Sequence, residues 1–172
     1  LTALPDGTDD AWVQQHICMS LALAEYLHRE AIGMRQLLAE GWMHNRARMI
    51  TASFLIKDLG VDWRIGAAHF LHWLCDGDIA QNSANWQWTA GTGNDTRPNR
   101  VFNPLRQAER FDPEGDYVRR WVPELAGLDD KVVHRPWALG AERPTRYPPP
   151  IVEHERAAEA FRARRAEQQR LA

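Results

Sequence analysis

Residues 42–59, WMHNRARMITASFLIKDL, predict one long helix packed into the interior of a helical domain. Gly60 follows at the position where a glycine commonly ends a helix. Positions 45, 48, 49 and 52 share one side of this helix, because residues three and four apart lie on the same face. An asparagine, an arginine and a methionine on one stripe make a poor hydrophobic core. This face is therefore predicted to line a polar, partly buried ligand site.

The helical spacing of apolar residues continues through most of the chain. It predicts further helices over residues 13–27, 34–39, 63–78, 79–88, 104–112, 114–122 and 152–171. Asp62 is suited to cap one of them, and Pro104 to be the first residue of another. No segment alternates like a β-strand, and the G-x-G-x-x-G motif of dinucleotide-binding folds is absent. The prediction is an all-α domain with long loops, irregular over the proline-rich residues 127–150.

Composition and charge limit the class of protein. The 172 residues, 44% hydrophobic and 26% charged, suit one globular domain. No apolar run reaches the ~18 residues that a membrane helix needs, and no signal segment opens the chain. The net charge of −2 argues against general affinity for polyanions but allows a local basic patch. Cys18 and Cys75 are expected to be small buried residues in a reducing compartment, without a disulfide.

Two acidic residues flank a glycine at the predicted end of a helix. Asp76 and Asp78, on either side of Gly77, could bind a metal, pair with an arginine or accept hydrogen bonds from a ligand. A calcium-binding loop is excluded for two reasons. Ala80 has no side-chain oxygen at the third liganding position, and Gln87 stands where the closing Glu should be. Binding of another metal, pairing with an arginine and acceptance of hydrogen bonds from a ligand all remain open on the residues alone.

Two tryptophans close to this segment are candidates for a ligand wall. Trp86 and Trp88 are two residues apart and cannot share a helix face, so one could pack inward while the other lines a cavity. Burial of both in the core is an equally good interpretation. The polar loop that follows contains Arg97 and Arg100, which suit phosphate contact as well as ordinary surface charge. The residues alone thus predict a tryptophan-lined pocket for a flat, polar ligand.

Three long motifs, in the same order, resemble the C-terminal FAD-binding domain of DNA photolyases. They are MRQLLAEGWMHNRARMITASFLIKDLGVDWR, DGDIAQNSANWQWTAGTG and RVFNPLRQAERFDPEGDYVRRWVPEL. Asn45 and Met49 are similar to the class that repairs cyclobutane pyrimidine dimers, where six-four photolyases and animal cryptochromes have histidines. Asn82 also resembles this class, because plant cryptochromes commonly have Asp there.

The resemblance implies a division of the chain. Residues 1–32 are a divergent segment with one amphipathic helix, residues 33–153 are part of the helical FAD-binding domain, and residues 154–172 are a charged helical tail. The family's N-terminal antenna domain and its Thr-Ser-x-x-Ser phosphate-binding segment are not found in this sequence. The chain is therefore expected to be a C-terminal fragment that binds FAD weakly or not at all on its own, with the antenna pigment undetermined.

The resemblance also implies roles for individual residues. Contacts to reduced FAD are expected from Asn45, Arg48, Asp76, Gly77, Asp78 and Asn82, with Arg48 paired to Asp76 beneath the flavin. Two of the catalytic roles that the resemblance implies belong to Asn82, which would favour the reduced, anionic flavin, and to Met49, which would lie between flavin and lesion. Contacts to damaged DNA are expected from Asn45, Arg46, Met49, Trp88, Arg100 and Gln107. Trp86 and Trp63 would be the flavin-proximal and middle members of an electron-transfer chain that photoreduces the flavin. No metal site is expected.

The function that the resemblance implies is light-driven DNA repair. In this family, blue light drives an electron from reduced FAD to a flipped-out pyrimidine dimer, the cyclobutane ring splits and the electron returns. A monomeric, cytoplasmic, nucleoid-associated protein without a membrane partner is expected. Two alternatives remain open, namely a cryptochrome-like flavin photoreceptor without repair and a photolyase remnant without function.

Overall fold

The computed structural model describes residues 32–97, 99–144 and 147–171, and these form an all-helical architecture without strands. The helices are α1 (Ile32–Glu40), α2 (Asn45–Ser53), α3 (Trp63–Trp73), α4 (Ile79–Ala90), α5 (Pro104–Phe111), α6 (Asp116–Trp121) and α7 (His154–Leu171). The predicted all-α fold is confirmed. The helix predicted over residues 13–27, and Cys18 within it, lie outside the described residues.

The helix predicted over residues 43–59 is divided into two parts. His44 caps α2 by accepting a hydrogen bond from the backbone N–H of Arg46 at 3.1 Å. After Ser53 the chain continues into a π-helix, Phe54–Asp58. Gly60 then ends the element at φ +70°, a conformation that side-chain-bearing residues rarely adopt. The wider turn is a feature that periodicity alone does not predict, and π-turns are frequent next to functional sites.

Helices α3 and α4 pack against each other and against the π-helix, and α4 also packs against α2. Asp62 caps α3 through the N–H of Arg64 at 2.8 Å, as predicted, and Asp78 caps α4 through the N–H of Gln81 at 2.7 Å. Their shared core contains Met34, Leu37, Met43, Ala52, Leu55, Ala67, Phe70, Leu74 and Trp86. Burial of such side chains contributes about 1.5–3 kcal/mol each, so this core holds the three helices in place.

A second cluster and the last helix complete the described fold. Val118, Val122, Leu125 and Val133 form the second cluster. Helix α7 buries Ala157, Ala158 and Phe161 and packs on the π-helix. The division of the chain at residues 32 and 153 stays a prediction.

Three further sequence expectations meet the structure here. Residues 127–150 were expected to be irregular, but a 3₁₀ segment, Pro136–Glu142, lies within them. Cys75 was expected to be buried, and this is wrong: it is exposed and unpaired, because it lies just beyond the end of α3 rather than inside a helix. Within the described ranges, no helix has both the length and the apolar character needed to span a bilayer.

Candidate functional site

A cleft of about 440 Å³ lies between α2, the end of α3 and α4. This volume falls within the range of pockets that bind organic cofactors. The lining residues are Asn45, Arg48, Met49, Ala52, Phe70, Leu74, Asp76, Gly77, Asp78, Gln81, Asn82, Asn85, Trp86, Trp88 and Thr89. The whole stripe predicted on α2, positions 45, 48, 49 and 52, thus lies on the wall of one cavity.

Arg48 and Asp76 form an ion pair in the cleft. Nη2 of Arg48 donates to both carboxylate oxygens of Asp76, at 3.0 and 2.8 Å. Nε of Arg48 donates to the backbone carbonyl of Met43 at 2.7 Å, which fixes the guanidinium plane. The Arg48 side chain is 24% exposed and that of Asp76 is 49% exposed. Because Asp76 is half in solvent, its carboxylate remains accessible to a ligand in the cleft.

Asn82 presents part of its amide to the cavity. Its Nδ2 donates to the carbonyl of Ala67 on α3 at 2.7 Å. This hydrogen bond uses one of the two N–H groups and leaves the side-chain carbonyl and the other N–H for a ligand. The neighbouring Asp78 uses one carboxylate oxygen to cap α4. Asn82 is therefore oriented by the protein rather than by solvent.

Trp86 is buried in the core and also lines the cleft. It is 2% exposed, and its ring meets Phe70 edge-on with centroids 4.9 Å apart. Gly66 makes room for it: a Cβ at position 66 would lie 2.1 Å from Cη2 and 2.4 Å from Cζ3 of the indole. The indole Nε1 has no hydrogen-bond partner among the described residues. A buried donor without a partner is costly, and a ligand acceptor in the cleft would satisfy it.

Trp88 lies at the edge of the cleft and is partly exposed. Arg100 stacks on it, with Cζ 5.1 Å from the Trp88 ring centroid. The same guanidinium lies 4.8 Å from the ring of Phe102. Of the two interpretations, the structure agrees with the one in which a single tryptophan packs inward: Trp86 lies in the core and Trp88 lies at the rim of the cleft.

Four predicted site residues lie outside the cleft lining. Trp63 begins α3 and packs on the shared core, with the Arg64 guanidinium 5.0 Å from its ring. Arg46 stacks on the exposed Phe111 ring at 4.6 Å. Arg100 reaches the cleft only through Trp88. Gln107 holds a buried side-chain oxygen that has no hydrogen-bond partner in the described structure.

Sequence reasoning missed five of the lining residues: Phe70, Leu74, Gln81, Asn85 and Thr89. A usable signal exists for three of them. Gln81, Asn85 and Thr89 are each three or seven residues from one of the predicted positions 78 and 82, and so belong to the same helix face. Phe70 and Leu74 have no such signal, because the sequence alone does not distinguish an apolar residue that lines the cleft from one that packs in the core.

The π-helix contains two adjacent buried charged residues, Lys57 and Asp58. Desolvation lowers the pKa of Lys57 to about 8, with Arg100 and Arg165 acting in the same direction and Asp95 and Asp58 against it. Burial raises the pKa of Asp58, against the opposing effect of its hydrogen bond to His154. Among the described residues, no cluster of three His, Cys, Asp or Glu side chains could hold a metal ion.

The lowered pKa makes a testable contribution to stability. Between pH 8 and the ordinary lysine value of 10.5, the unfolded chain binds the Lys57 proton and the folded chain does not. Stability therefore rises with pH in this window. We expect the free energy of unfolding of the parent chain, relative to Lys57→Met, to increase between about pH 7.5 and about pH 9.5 in urea titrations. A pH-independent difference would contradict the assignment.

The fold and the cleft together define an all-helical domain with a polar cavity of cofactor size. The chain belongs to the family described as the FAD binding domain of DNA photolyase, whose model matches residues 32–167. The resemblance seen in the sequence is thereby confirmed.

Known relatives agree with this assignment. A deoxyribodipyrimidine photo-lyase of Streptomyces griseus is 63% identical over 122 residues, which are 70% of this chain and 27% of the relative. A bacterial class III photolyase of Agrobacterium tumefaciens superposes with a TM-score of 0.80 at 44% identity, over 87% of this chain and 34% of that one. A cryptochrome of Synechocystis gives a TM-score of 0.76 at 39% identity, over 82% and 32%. The chain thus spans about a quarter of the length of the curated relative.

Proposed function

We propose that the cleft holds the isoalloxazine ring of FAD and that the chain takes part in light-driven repair of cyclobutane pyrimidine dimers in DNA. One observation carries the proposal. The side chains that the family resemblance assigns to the flavin, from Asn45 on α2 to Asn82 on α4, line one cavity of cofactor size. The similarity to enzymes named deoxyribodipyrimidine photo-lyase supports the same activity.

The polar groups of the cleft fit a flavin ring. An isoalloxazine is flat, with carbonyl and nitrogen acceptors and N–H donors along one edge. The half-exposed Asp76 carboxylate can accept from a ring N–H, and the remaining groups of Asn82 can donate or accept. The unpartnered Nε1 of Trp86 supplies a further donor. Arg48, held by two partners, keeps Asp76 in place.

The tryptophans suit electron transfer to such a ring. When bound and reduced, FAD would supply the excited-state electron that splits the dimer. Trp86 lies in the cleft wall within a tightly packed core, where an indole loses and regains an electron without solvent rearrangement. Trp63 packs on the same core and would pass electrons between Trp86 and the surface.

The rim of the cleft suits a damaged DNA strand. Met49 and Trp88 provide apolar surface beside the cavity, against which a flipped-out pyrimidine dimer can stack. Arg46 and Arg100 are at this side of the molecule, and neither has a carboxylate partner in the described part of the chain. Their charges are available to meet phosphates. Gln107 is a further residue that the family resemblance assigns to the strand.

A cryptochrome-like photoreceptor is the second candidate, and the similarity to the Synechocystis cryptochrome favours it. Met49 and Asn82 favour repair, because both line the cleft and both resemble the dimer-repair class. A remnant without function would retain the fold but bind neither flavin nor dimer.

Flavin binding and dimer splitting together test the proposal. FAD is titrated into the chain, and saturable quenching of flavin fluorescence is the expected result. The chain with photoreduced FAD is then irradiated with blue light in the presence of a thymine-dimer oligonucleotide, with Trp88→Ala as the comparison. Dimer loss that Trp88→Ala reduces supports repair. Flavin binding without dimer loss favours the photoreceptor, and absence of saturable flavin binding contradicts the proposal.

Asn82→Asp is expected to weaken the binding of reduced FAD more than that of oxidised FAD. The reduced flavin is expected to be an anion, and a carboxylate at position 82 would repel it, whereas the oxidised ring is neutral. A selective loss of about tenfold is expected, corresponding to about 1.4 kcal/mol. Asn94→Asp makes the same chemical change on an exposed loop outside the cleft and serves as the control. Equal effects on both redox states would argue against a flavin next to Asn82.

A further inference from the structure

The segment that carries Arg100 and Phe102 is tied to the back of the helix that lines the cleft. Nζ of Lys57 donates to the backbone carbonyl of Arg100 at 2.6 Å. Oγ of Ser53 accepts a hydrogen bond from the backbone N–H of Phe102 at 3.4 Å. Ser53 and Lys57 lie one turn apart, are 0% and 3% exposed, and together bind the backbone at two alternate residues.

The two tied residues flank one stacked arrangement at the rim. The guanidinium of Arg100 lies 5.1 Å from the ring of Trp88 and 4.8 Å from that of Phe102. Trp88 belongs to the cleft wall. The position of the Arg100 charge over the cleft edge therefore depends on where the backbone of residues 100 to 102 is held.

Stability alone is a poor explanation for a lysine in this position. Burial of an ammonium group costs free energy, and the lowered pKa of Lys57 reflects that cost. An apolar residue of similar length would fill the space against the Phe161 ring, which lies 5.4 Å from Nζ. A buried charged group is weak evidence for a stabilising role, because whole buried ion pairs can often be replaced by apolar residues without loss of stability. What an apolar residue cannot supply is the hydrogen bond to the carbonyl of Arg100.

We propose that Lys57 and Ser53 are positioning residues that hold Arg100 over Trp88, so that a nucleic-acid strand meets a preformed cationic and aromatic edge beside the cleft. The proposal rests on the proposed function, since it takes the strand to be the damaged DNA. Pre-organisation of the segment lowers the entropy lost when the strand binds. Neither residue touches the strand itself; both act through Arg100 and Phe102.

The test is a double-mutant cycle on the full chain. Affinity for a fluorescein-labelled thymine-dimer oligonucleotide is measured by anisotropy for the parent chain, Lys57→Met, Arg100→Ala and the double variant. Lys57→Met is expected to weaken binding about fivefold, as loss of a pre-ordered segment would. The double variant should bind no more weakly than Arg100→Ala alone, because both changes remove the same contact. Lys131→Met is the matched control, since Lys131 is exposed and is the only other lysine of the chain.

Two further measurements separate positioning from folding. Ser53→Ala removes one oxygen and is expected to speed hydrogen exchange at the Phe102 amide while the rest of the chain keeps its protection. The affinity ratio of parent to Lys57→Met should also shrink as pH rises from about 7 to about 9, because Lys57 loses the charge that strengthens its hydrogen bond. The charged groups facing Lys57 are Asp58, Asp95, Arg100 and Arg165.

The outcomes distinguish this inference from the proposed function. If Arg100→Ala weakens binding while Lys57→Met and Ser53→Ala do not, the positioning role is overturned and the proposed function stands. Additive losses in the double variant also overturn it, since they show that Lys57 acts by another route. If the dimer oligonucleotide is not bound by the parent chain, or Arg100→Ala binds as well as the parent, the DNA side of the proposed function fails, and the positioning role fails with it.

Discussion

Gly66→Ala is expected to destabilise the fold by about 3 kcal/mol, at the upper end of what overpacking of a core usually costs. The new Cβ would lie 2.1 and 2.4 Å from two atoms of the Trp86 ring and 2.6 Å from Cδ2 of Leu55. The Trp86 ring packs against Phe70 and Gly66 of α3 and cannot move without displacing the cleft wall. We therefore expect a fall in Tm of about 6–12 °C, measured by circular dichroism, together with weaker FAD binding.

Two comparisons make this prediction specific. Gly127→Ala is the matched control, because nothing lies within 4 Å of a Cβ at that exposed position, and its stability should change by less than about 1 kcal/mol. In the background of Trp86→Phe, which lacks the two clashing ring atoms, Gly66→Ala should cost less than in the parent chain. An equal cost in both backgrounds would show that the glycine matters for another reason.

Arg48→Met is expected to reduce FAD affinity about 10- to 30-fold, or about 1.4–2 kcal/mol. The change removes the partner of Asp76 and the hydrogen bond to the carbonyl of Met43. The Asp76 carboxylate would then rotate into solvent and no longer be oriented toward the flavin ring. Because Asp76 is 49% exposed, the loss of folding stability should be smaller than the loss of affinity. Fluorescence titration with FAD and urea denaturation measure the two effects separately.

The chain offers a second ion pair as the control for this experiment. Arg64 and Asp62 are 3.0 Å apart but lie outside the cleft, with side chains 71% and 51% exposed. Arg64→Met should leave FAD affinity unchanged and stability within about 0.5 kcal/mol. If Arg48→Met and Arg64→Met behave alike toward FAD, the Arg48–Asp76 pair has no special relation to the ligand.

The candidate cleft could be predicted in large part because its residues follow helix geometry. The stripe at positions 45, 48, 49 and 52 was placed on one wall by spacing alone. Asp62 and Gly60 were identified as helix boundaries because capping and left-handed conformations favour few residue types. The family resemblance, rather than spacing, brought Asp76 and Asn82 into the same site.

Contacts between distant parts of the chain could not be predicted from residue spacing. Lys57 and Arg100 are 43 residues apart, and no pattern around either indicates that an ammonium group meets that carbonyl. The same holds for the stacking of Arg46 on Phe111, which draws Arg46 away from the cleft lining. Cys75 was misjudged because Trp73 and Leu74 before it are apolar, whereas its exposure depends on the turn after α3.

The residues that line the cleft come from a short, continuous part of the chain. Every residue that lines it lies between Asn45 and Thr89, on α2, α3 and α4 or in the turn that joins α3 to α4. Loops that close such neighbouring contacts are short, so their closure costs little entropy and takes place early in folding. The ligand cavity should consequently assemble as a unit before α7 docks, and its amides should open together in native-state exchange rather than one helix at a time.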